Sequence, residues 1–339
     1  MRRLILIFSA CVLMFGLWFW HALWPVNSGD AKDVSFTVQP GESIGIIAAN
    51  LKDRGFIRSP WVFKTYARIT GVAGKLQAGS FALSPSASSA DIIVVLHSGK
   101  TQEFLVTIPE GYTVADIDAL FVSKGLGKPG DIIECAFRCD FSSFDFLPAA
   151  PAQGGEAFKI GSRLEGYLFP ETYSVSPADY GPKFALERML GTFRERIVVE
   201  YASDIAKSGH TIHETITMAS LVEEESRHDE ERAQIAGILW KRLANKVALG
   251  VDATTRYRLN KKRDVLTKTD VEIDSAYNTR RTQGLPPSPI ANPSEASVIA
   301  SLNPIESQYW YYLHDPSGVI HYAVTNDEHN VNRARYLGR

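Results

Sequence analysis

The sequence predicts an α+β protein that begins with a transmembrane helix and ends in a larger C-terminal α+β domain with a central glutamate-bearing helix. Three observations predict it: an apolar run at the N-terminus, an internal repeat with strand–turn–helix character, and a long helical pattern that carries three consecutive glutamates. The 339 residues are 45% hydrophobic and 22% charged, so we expect globular structure in two or three domains. The net charge of -2 offers no basic excess, so no nucleic-acid partner is expected.

The N-terminal segment MRRLILIFSACVLMFGLWFWHALW is the predicted membrane anchor. Its apolar run from Leu4 to Trp24 is long enough to cross a bilayer, and tryptophans gather at its far end, where indole rings favour the membrane–water interface. The two preceding arginines favour a cytoplasmic N-terminus, with the rest of the chain outside the cytoplasmic (inner) membrane. A cleaved signal peptide is the alternative, but WFWHALWPV lacks an obvious small-residue cleavage site. We therefore expect residues 1–25 to be a cytoplasmic stub and single-pass anchor, and residues 26–33 to be a tether.

An internal repeat follows the anchor. Residues 36–55 and 106–125 align without gaps, and each copy is typical of a short strand, a glycine turn, an amphipathic helix and a glycine stop. The sequence therefore predicts an α+β region over residues 34–125. Its motif VQPGESIGIIA resembles the opening of a LysM module, a small extracellular fold that binds N-acetylglucosamine-containing glycans. A structural α+β unit without a glycan site is the alternative.

Two further segments complete the predicted organisation. Residues 126–163 are rich in Pro, Gly, Ser and Phe, which predicts an irregular linker or insertion. Residues 164–339 are expected to form the C-terminal domain.

Cysteine and histidine usage gives no indication of a metal site. Cys135 and Cys139 lie beyond the anchor, where a local disulfide or two free thiols are both compatible with the sequence. Glu225 and His228 have the E-x-x-H spacing of di-iron bundles, but no second such motif is present. We therefore expect neither a metal nor a cofactor.

The segment MASLVEEESRHDEERAQIAGILWKRL (Met218 to Leu243) is the predicted central helix. At about 100° per residue, Glu225 falls in the middle of the apolar stripe that a helix buries. Glu224 falls about 100° away, at the edge of the stripe, and Glu223 falls about 160° away, on the opposite face. We therefore expect Glu225 to point inward and Glu223 to be solvated.

A buried carboxylate must be paired, hydrogen-bonded or protonated, so two interpretations of Glu225 remain open. Arg232 lies on the same stripe two turns further on, which favours a structural salt bridge. A glutamate in a partly apolar cleft also keeps its proton to a higher pH than usual, and can then act as a general acid.

A second dense segment, DSAYNTRRTQGLPPSPIANPSEASVIASLNP, spans residues 274–304. Its prolines fix a non-helical loop that carries Tyr277, Asn278 and Asn292, which suits recognition of a polar ligand. The alternative is a connector before a helix at Ser294–Leu302. Residues 309–330 then predict a hairpin.

Several motifs occur together in one order: the anchor, the LysM-like start, LEGYLFPETY, ASLVEEES with IAGILWKRL, AYNT with GLPPSPIANP, and HYAVTNDEHN. In this order the chain resembles the YceG-like family, the membrane-anchored endolytic murein transglycosylases of bacteria. The resemblance covers essentially the whole chain, from residue 1 to about 332.

The resemblance implies that Glu225 is the catalytic residue, because it occupies the second glutamate of the family motif A-S-[IL]-[VI]-E-x-E-[TS]. It also implies that the Y-N-T and G-L-P-P segments line a glycan cleft. The segment LGVDATTRY departs from the family pattern, since it keeps Asp252 but lacks the family's glutamine and proline. The expected substrate-binding residues are Tyr277, Asn278, Thr279, Gly284, Leu285, Pro286, Asn292, Glu223 and Asp252.

The activity implied by the resemblance is cleavage of MurNAc–GlcNAc β-1,4 bonds within nascent peptidoglycan strands. One glutamate acts first as acid and then as base, and the product carries a 1,6-anhydro end, which would terminate strand elongation. Expected partners are glycan strands, the membrane, and penicillin-binding proteins or other elongation and division machinery. Two alternatives stay open: a hydrolytic muramidase that uses Asp252 as its second carboxylate, and a non-catalytic glycan-binding scaffold in which Glu225 only pairs with Arg232.

Overall fold

The computed structural model describes residues 2–27, 29, 33–39, 41–99, 104–149, 163–175, 180–261 and 265–338. These residues form a mixed α+β structure with an N-terminal apolar helix, as the sequence predicts. The helices are α1 (Arg2–Leu23), α2 (Ile44–Asp53), α3 (Pro60–Ile69), α4 (Ser89–Ser98), α5 (Val114–Ser123), α6 (Asp131–Arg138), α7 (Pro182–Phe193), α8 (Ala202–Ser208), α9 (Ile212–Glu225), α10 (Asp229–Ala244), α11 (Asp252–Leu259), α12 (Lys268–Val271), α13 (Glu295–Leu302) and α14 (Asn326–Leu337). A π-helical turn, Arg194–Val199, follows α7 directly. The strands are β1 (Val34–Val38), β2 (Gly79–Leu83), β3 (Phe104–Thr107), β4 (Thr172–Val175), β5 (Tyr311–His314) and β6 (Ile320–Ala323).

The first of two compact units comprises Met1–Leu105 and Ser174–Tyr180. Strands β1 and β2 pair antiparallel, with Phe36 opposite Phe81. Because side chains alternate along a strand, Phe36 and Val38 share the buried face of β1. They pack with apolar residues of α2, α3 and α4 in one core.

The internal repeat predicted from the sequence is present as local structure. Gly41 and Gly111 stand at the turn before each helix with φ of 80° and 74°, and Gly55 and Gly125 stand after each helix with φ of 77° and 74°. Only glycine adopts this left-handed conformation without strain, so the matching glycines mark matching turns. The two copies fall in different compact units, whereas the sequence suggests one region over residues 34–125. Membership of the first copy in the LysM class stays a prediction.

The N-terminal helix α1 contains the segment Leu6–Leu23, which is long and apolar enough to cross a membrane. A signal sequence near an N-terminus meets the same criterion, so the helix is compatible with an anchor without proving one. Part of the expected tether, residues 28 and 30–32, lies outside the described residues.

The second unit comprises Val106–Tyr173 and Gly181–Arg339, and helix α9 is at its centre. Eight consecutive residues of α9, from Thr215 to Val222, are buried. The helix packs against α10 and α13, and Trp240 on α10 ties these two helices together by donating a hydrogen bond to the Ser301 carbonyl at 2.9 Å. The predicted helix after Ser294 and the predicted hairpin are both present.

The segment from residue 126 to 163 is predicted to be irregular, but part of it is helical. Residues Asp131–Arg138 form helix α6, and Cys135 is joined to Cys139 by a disulfide, which is one of the two states that the sequence allowed. Ile132, Cys135 and Ala136 form the buried face of α6, so this helix of eight residues has an amphipathic pattern. Residues 150–162 lie outside the described residues.

The close approach of α10 to the chain after α13 generates a stability prediction. A Cβ atom at Gly237 would overlap with the Ile305 carbonyl, whereas a Cβ at the helical Gly191 would meet no atom within 4 Å. We predict that Gly237→Ala lowers the free energy of unfolding by roughly 1–3 kcal/mol. The matched control Gly191→Ala should raise it by roughly 0.5–1 kcal/mol through helix propensity. Urea midpoints of the full chain in detergent would measure both, and equal effects of the two substitutions would contradict the packing argument.

Candidate functional site

The three consecutive glutamates stand in the last turn of α9. The helix starts at a capping box, in which the Thr211 hydroxyl accepts from the Glu214 backbone and the Glu214 carboxylate accepts from the Thr211 backbone at 2.8 Å. It ends with Glu225, because Ser226 and His228 are in extended conformations, and α10 starts at Asp229. The expectation of one central helix from Met218 to Leu243 is therefore wrong. Consecutive residues of a helix point in directions about 100° apart, so each of the three glutamates meets different surroundings.

Glu223 is part of a dense hydrogen-bond network. Its Oε2 accepts from Arg232 Nη1 at 3.0 Å, from the Ser294 backbone at 2.9 Å and hydroxyl at 2.6 Å, and from the Ser297 hydroxyl at 2.8 Å. Arg232 also donates to the Ser297 hydroxyl. The Glu223 carboxylate lies at the N-terminus of α13, where the helix dipole favours negative charge. Glu223 is therefore a structural link between α9, α10 and α13.

The expectation that Glu223 is solvated is therefore wrong: its side chain is only 9% exposed, while Glu224 is the exposed member of the trio. The helical-wheel argument assumes one buried face, whereas α9 is enclosed by neighbours on its other faces as well. Arg232 pairs with Glu223 and Asp229 rather than with Glu225. Four donors already occupy its Oε2, and a substrate-binding role for Glu223 stays a prediction.

Glu225 is partly buried and is held by a neutral donor. The Tyr312 hydroxyl, on strand β5, donates to Glu225 Oε2 at 3.0 Å. Burial raises the pKa of the Glu225 carboxyl to about 7, and the negative charges of Asp252 and Glu224 act in the same direction. The hydrogen bond from Tyr312 and the positive charge of Arg256 oppose this shift without cancelling it.

Asp252 is the second carboxylate near Glu225. It is the first residue of α11, and Arg280 Nε donates to its Oδ1 at 2.6 Å. Asp252 raises the pKa of the Arg280 guanidinium, as expected for an ion pair. The structure thus brings together two of the predicted site residues. Glu225 is held by a neutral hydroxyl, and Asp252 is held by a guanidinium.

The Y-N-T residues are buried in the loop before the prolines. Tyr277 and Asn278 are both 0% exposed and Thr279 is 1% exposed. The Tyr277 hydroxyl is 2.7 Å from the Ser288 hydroxyl, and Asn278 Nδ2 donates to carbonyls in segment 271–273. Thr279 accepts hydrogen bonds from the backbone just before α11. These side chains hold the loop and the start of α11 in place, and their contact with a glycan stays a prediction.

The remaining predicted residues also have structural contacts. Asn292 is 0% exposed, and its side chain accepts from the Leu168 backbone at 2.9 Å and donates to the Tyr112 carbonyl at 2.7 Å. Leu285 packs against the core around α9, and Pro286 is buried. Gly284 has a φ of 104°, a conformation that requires glycine at this turn.

Sequence reasoning missed the groups that are near Glu225 in the fold but far from it in the sequence. Tyr312, Arg256 and Arg280 all influence the charge of Glu225 or of its neighbour Asp252. The alternation in the predicted hairpin placed Tyr312 on a definite face, but no local pattern indicated which helix that face would meet.

Glu165, in the motif LEGYLFPETY, is a second missed carboxyl. It is 3% exposed, accepts from the Val114 backbone at 3.0 Å and from the Tyr257 hydroxyl at 2.9 Å, and burial raises its pKa to about 7. Because Tyr257 belongs to α11, Glu165 helps to fix the helix that carries Asp252 and Arg256.

The arrangement around Glu225 suits proton transfer. A carboxyl with a pKa near neutrality can donate a proton and take it back under the same conditions. The Tyr312 hydroxyl is a neutral donor, so it orients one carboxyl oxygen of Glu225 without placing a positive charge beside it.

Comparison with known proteins links this chain to a family. The model of the YceG-like family matches residues 36–335. The protein of Bacillus subtilis (strain 168) named endolytic murein transglycosylase is 31% identical over 319 residues, which cover 92% of this chain and 87% of that protein. A Streptococcus pneumoniae protein of the same name is 29% identical, and the match covers 93% of this chain and 60% of that protein. The crystal structure of a protein from Listeria monocytogenes described as yceG-like is 29% identical, with a TM-score of 0.61 over 89% of this chain and 99% of that chain.

The raised pKa of Glu225 predicts a pH-dependent effect on stability. The folded protein keeps the Glu225 proton up to about pH 7, whereas an unfolded glutamate releases it near its ordinary pKa of 4.5. Ionisation of Glu225 therefore destabilises the fold as the pH rises between these values. Glu225→Gln removes that cost. We predict that its free energy of unfolding relative to wild type increases by roughly 1–3 kcal/mol between pH 5 and pH 8. Denaturant unfolding at both values would measure this.

The matched control is Glu230→Gln, because Glu230 is an exposed carboxylate only five residues away. Its difference from wild type should be the same at pH 5 and pH 8. A Glu225→Gln difference that is also independent of pH would show that Glu225 is fully hydrated in the folded protein.

Proposed function

The chain belongs to the YceG-like family, and on this premise we propose that it is a peptidoglycan lytic transglycosylase that cleaves MurNAc–GlcNAc β-1,4 bonds within nascent strands. The name of its Bacillus and Streptococcus relatives supports this reaction class. The observation that carries the proposal is the partly buried Glu225 carboxyl, which is oriented by the Tyr312 hydroxyl and has a pKa of about 7.

The proposed reaction uses Glu225 twice. In the first step, protonated Glu225 gives its proton to the oxygen that joins MurNAc C1 to GlcNAc C4, the C1–O bond breaks with its electron pair on that oxygen, and C1 becomes oxocarbenium-like. In the second step, the Glu225 carboxylate takes the proton of the C6 hydroxyl of the same MurNAc, and O6 bonds to C1. The product carries a 1,6-anhydro ring, Glu225 is protonated again, and no water is consumed.

The surroundings of Glu225 are suited to both steps. The first step needs the acid form and the second needs the base form, and a pKa of about 7 makes both forms accessible near neutral pH. The Tyr312 hydroxyl remains a donor to Oε2 in either state, so the carboxyl keeps its orientation when its charge changes.

Membrane placement is a further part of the proposal. Helix α1 would hold the chain in the cytoplasmic membrane with its N-terminus inside and the Glu225 site outside, next to newly made glycan strands. Cleavage there would release or terminate strands made by penicillin-binding proteins or other elongation and division machinery. Glycan binding by the LysM-like repeat would hold the enzyme on its substrate.

A hydrolytic muramidase is the second candidate, because Asp252 supplies a second carboxylate near Glu225. The close pair between Asp252 and Arg280 weighs against it, since a carboxylate engaged by a guanidinium is a poorer base or nucleophile.

We predict that Glu225→Gln loses at least about 100-fold of the cleavage activity, because glutamine cannot donate a proton to the leaving oxygen. Wild type, Glu225→Gln and the control Glu230→Gln, as full chains in detergent, would be incubated with purified peptidoglycan, and released fragments would be weighed by mass spectrometry. Wild type and the control should both release fragments that are lighter by one water than hydrolysed ones.

The fragment masses separate the candidate functions. Fully hydrated reducing ends that disappear in Asp252→Asn would establish the muramidase instead. Release that is unchanged in folded Glu225→Gln would remove Glu225 from the chemistry. An absence of release from wild type in membranes that contain nascent strands would leave the non-catalytic scaffold.

The hydrogen bond from Tyr312 predicts a shift in the pH profile of cleavage. Tyr312→Phe removes a donor that stabilises the ionised carboxylate, so the pKa of Glu225 should rise and the fall in activity on the alkaline side should move to higher pH. We expect about a tenfold loss at the optimum, the cost of one lost hydrogen bond. The control is Tyr311→Phe on the same strand, whose ring stacks on His329 on the other face of the hairpin. Identical pH profiles for both variants would contradict the assigned role of Tyr312.

A further inference from the structure

The N-terminal helix α1 contacts helix α3 of the same compact unit over part of its length. The Trp61 ring, near the start of α3, lies 6.2 Å from the Phe15 ring, 6.3 Å from the Trp18 ring and 6.2 Å from the Phe19 ring. Trp61 nevertheless remains 50% exposed. An aromatic side chain of α3 is therefore packed beside the predicted membrane span and still presents half of its surface to its surroundings.

The end of α1 is also fixed to this unit. Ala22 and Leu23 are 6% and 7% exposed and pack against Val62 of α3. Arg58, just before α3, donates to the Pro25 carbonyl from Nη2 at 2.7 Å and from Nε at 3.0 Å. A guanidinium on the free carbonyls after a helix satisfies groups that have no partner within the helix. The C-terminal end of α1 and the residues that follow it are thus held against α3.

The depth of Trp61 follows from the length of the span. The segment Leu6–Leu23 has 18 residues, or about 27 Å as a helix, and a bilayer core is about 30 Å thick, so the whole segment is needed to cross it. Phe15 and Phe19 lie about 12 Å and about 6 Å before the end of that segment. A ring packed against both residues is level with the outer part of the bilayer, at the depth where interfacial helices bury their apolar side.

The charges around α3 fit an anionic surface. Between residues 54 and 90 the sequence has five lysines and arginines and no aspartate or glutamate. Three of these cations, Arg58, Lys64 and Arg68, lie just before or on α3, and Arg58 and Arg68 are exposed. Indole rings favour the membrane interface, and cations beside them are attracted to anionic headgroups.

We propose that α3 is a second membrane contact, which lies in the outer interface beside α1 with Trp61 at the boundary of headgroups and acyl chains and its cations on anionic phospholipids. The proposal rests on the proposed anchoring of α1. It makes the first unit a membrane-bound module of fixed orientation, whereas a flexible tether would leave that orientation free.

Photocrosslinking of the full chain in lipid nanodiscs would test this proposal. Three single variants would carry the crosslinker: Phe15→benzoylphenylalanine on α1, Trp61→benzoylphenylalanine on α3, and Val94→benzoylphenylalanine on α4. Val94 is the control, an apolar residue of the same unit that is 65% exposed. Mass spectrometry would count the adducts with phospholipid. We expect adducts at 15 and 61 in comparable yield, and at least about fivefold fewer at 94.

The positions separate the anchor from the second contact. Adducts at 15 without adducts at 61 would overturn the interfacial placement of α3 and leave the anchor intact. Equal yields at 61 and 94 would overturn it as well, because the whole unit would then contact lipid without a preferred face. No adducts at 15 would overturn the anchor, and the proposal with it, whereas the cleavage assays would remain unaffected.

A separate experiment tests the attraction between the cations of α3 and anionic lipids. The yield at position 61 would be compared in phosphatidylcholine nanodiscs and in nanodiscs with one quarter phosphatidylglycerol. We expect about a threefold higher yield with the anionic lipid, and loss of this difference when Lys64→Glu and Arg68→Glu are added. The same yield in both membranes would overturn the electrostatic component.

Discussion

Enclosure of helix α9 is the constraint on which the site depends. Eight consecutive residues are buried, so any carboxylate beyond them that does not reach water must find a partner in the protein. The kind of partner then decides the chemistry. Glu223 meets the guanidinium of Arg232, whereas Glu225 meets the neutral hydroxyl of Tyr312 in a place that disfavours charge. Two glutamates, two residues apart on one helix, thus differ in role: Glu223 links three helices by hydrogen bonds, and Glu225 has a carboxyl whose pKa lies near neutrality.

Helix α11 bears charged side chains near Glu225, and residues elsewhere in the chain set the position of this helix. Asp252 and Arg256, on this helix, act on the Glu225 charge with opposite sign. Thr279 holds the backbone at its start, and Glu165 accepts from Tyr257 further along it. Thr279 and Glu165 therefore act on the electrostatic surroundings of Glu225 through the placement of one short helix. The hydrogen bond to Thr279 is buried and that to Glu165 is partly buried, so loss of a single partner leaves an unsatisfied group at a cost of about 1–3 kcal/mol, and displacement of the helix is the way to relieve it.

How much of this could be predicted from sequence depended on the range of the interaction. The apolar N-terminal helix, the repeated glycine turns and the hairpin follow from local patterns, and all are present. The periodicity of α9 also selected Glu225 as an inward carboxyl, but it failed for Glu223, because a wheel describes one helix and does not know that α13 covers the opposite face. The Y-N-T segment was interpreted as a ligand loop because its residues are polar, although polar side chains serve equally well to satisfy a buried loop. Tyr312, 87 positions after Glu225, was beyond any local argument.

The pairing of Asp252 bears on the choice between a lyase and a hydrolase. A hydrolase must use its second carboxylate as a base or nucleophile, and that group must be free to approach water or the sugar. Asp252 is instead held by Arg280 at 2.6 Å, at the first turn of α11. Asp252 raises the pKa of Glu225, and its charge would favour positive charge on a nearby sugar ring. The proposed transglycosylase reaction requires no more than this, because the substrate's own C6 hydroxyl would supply the nucleophile and Glu225 would supply both proton transfers. The raised pKa of Glu225 and the ion pair of Asp252 with Arg280 therefore favour the proposed intramolecular ring closure over attack by water.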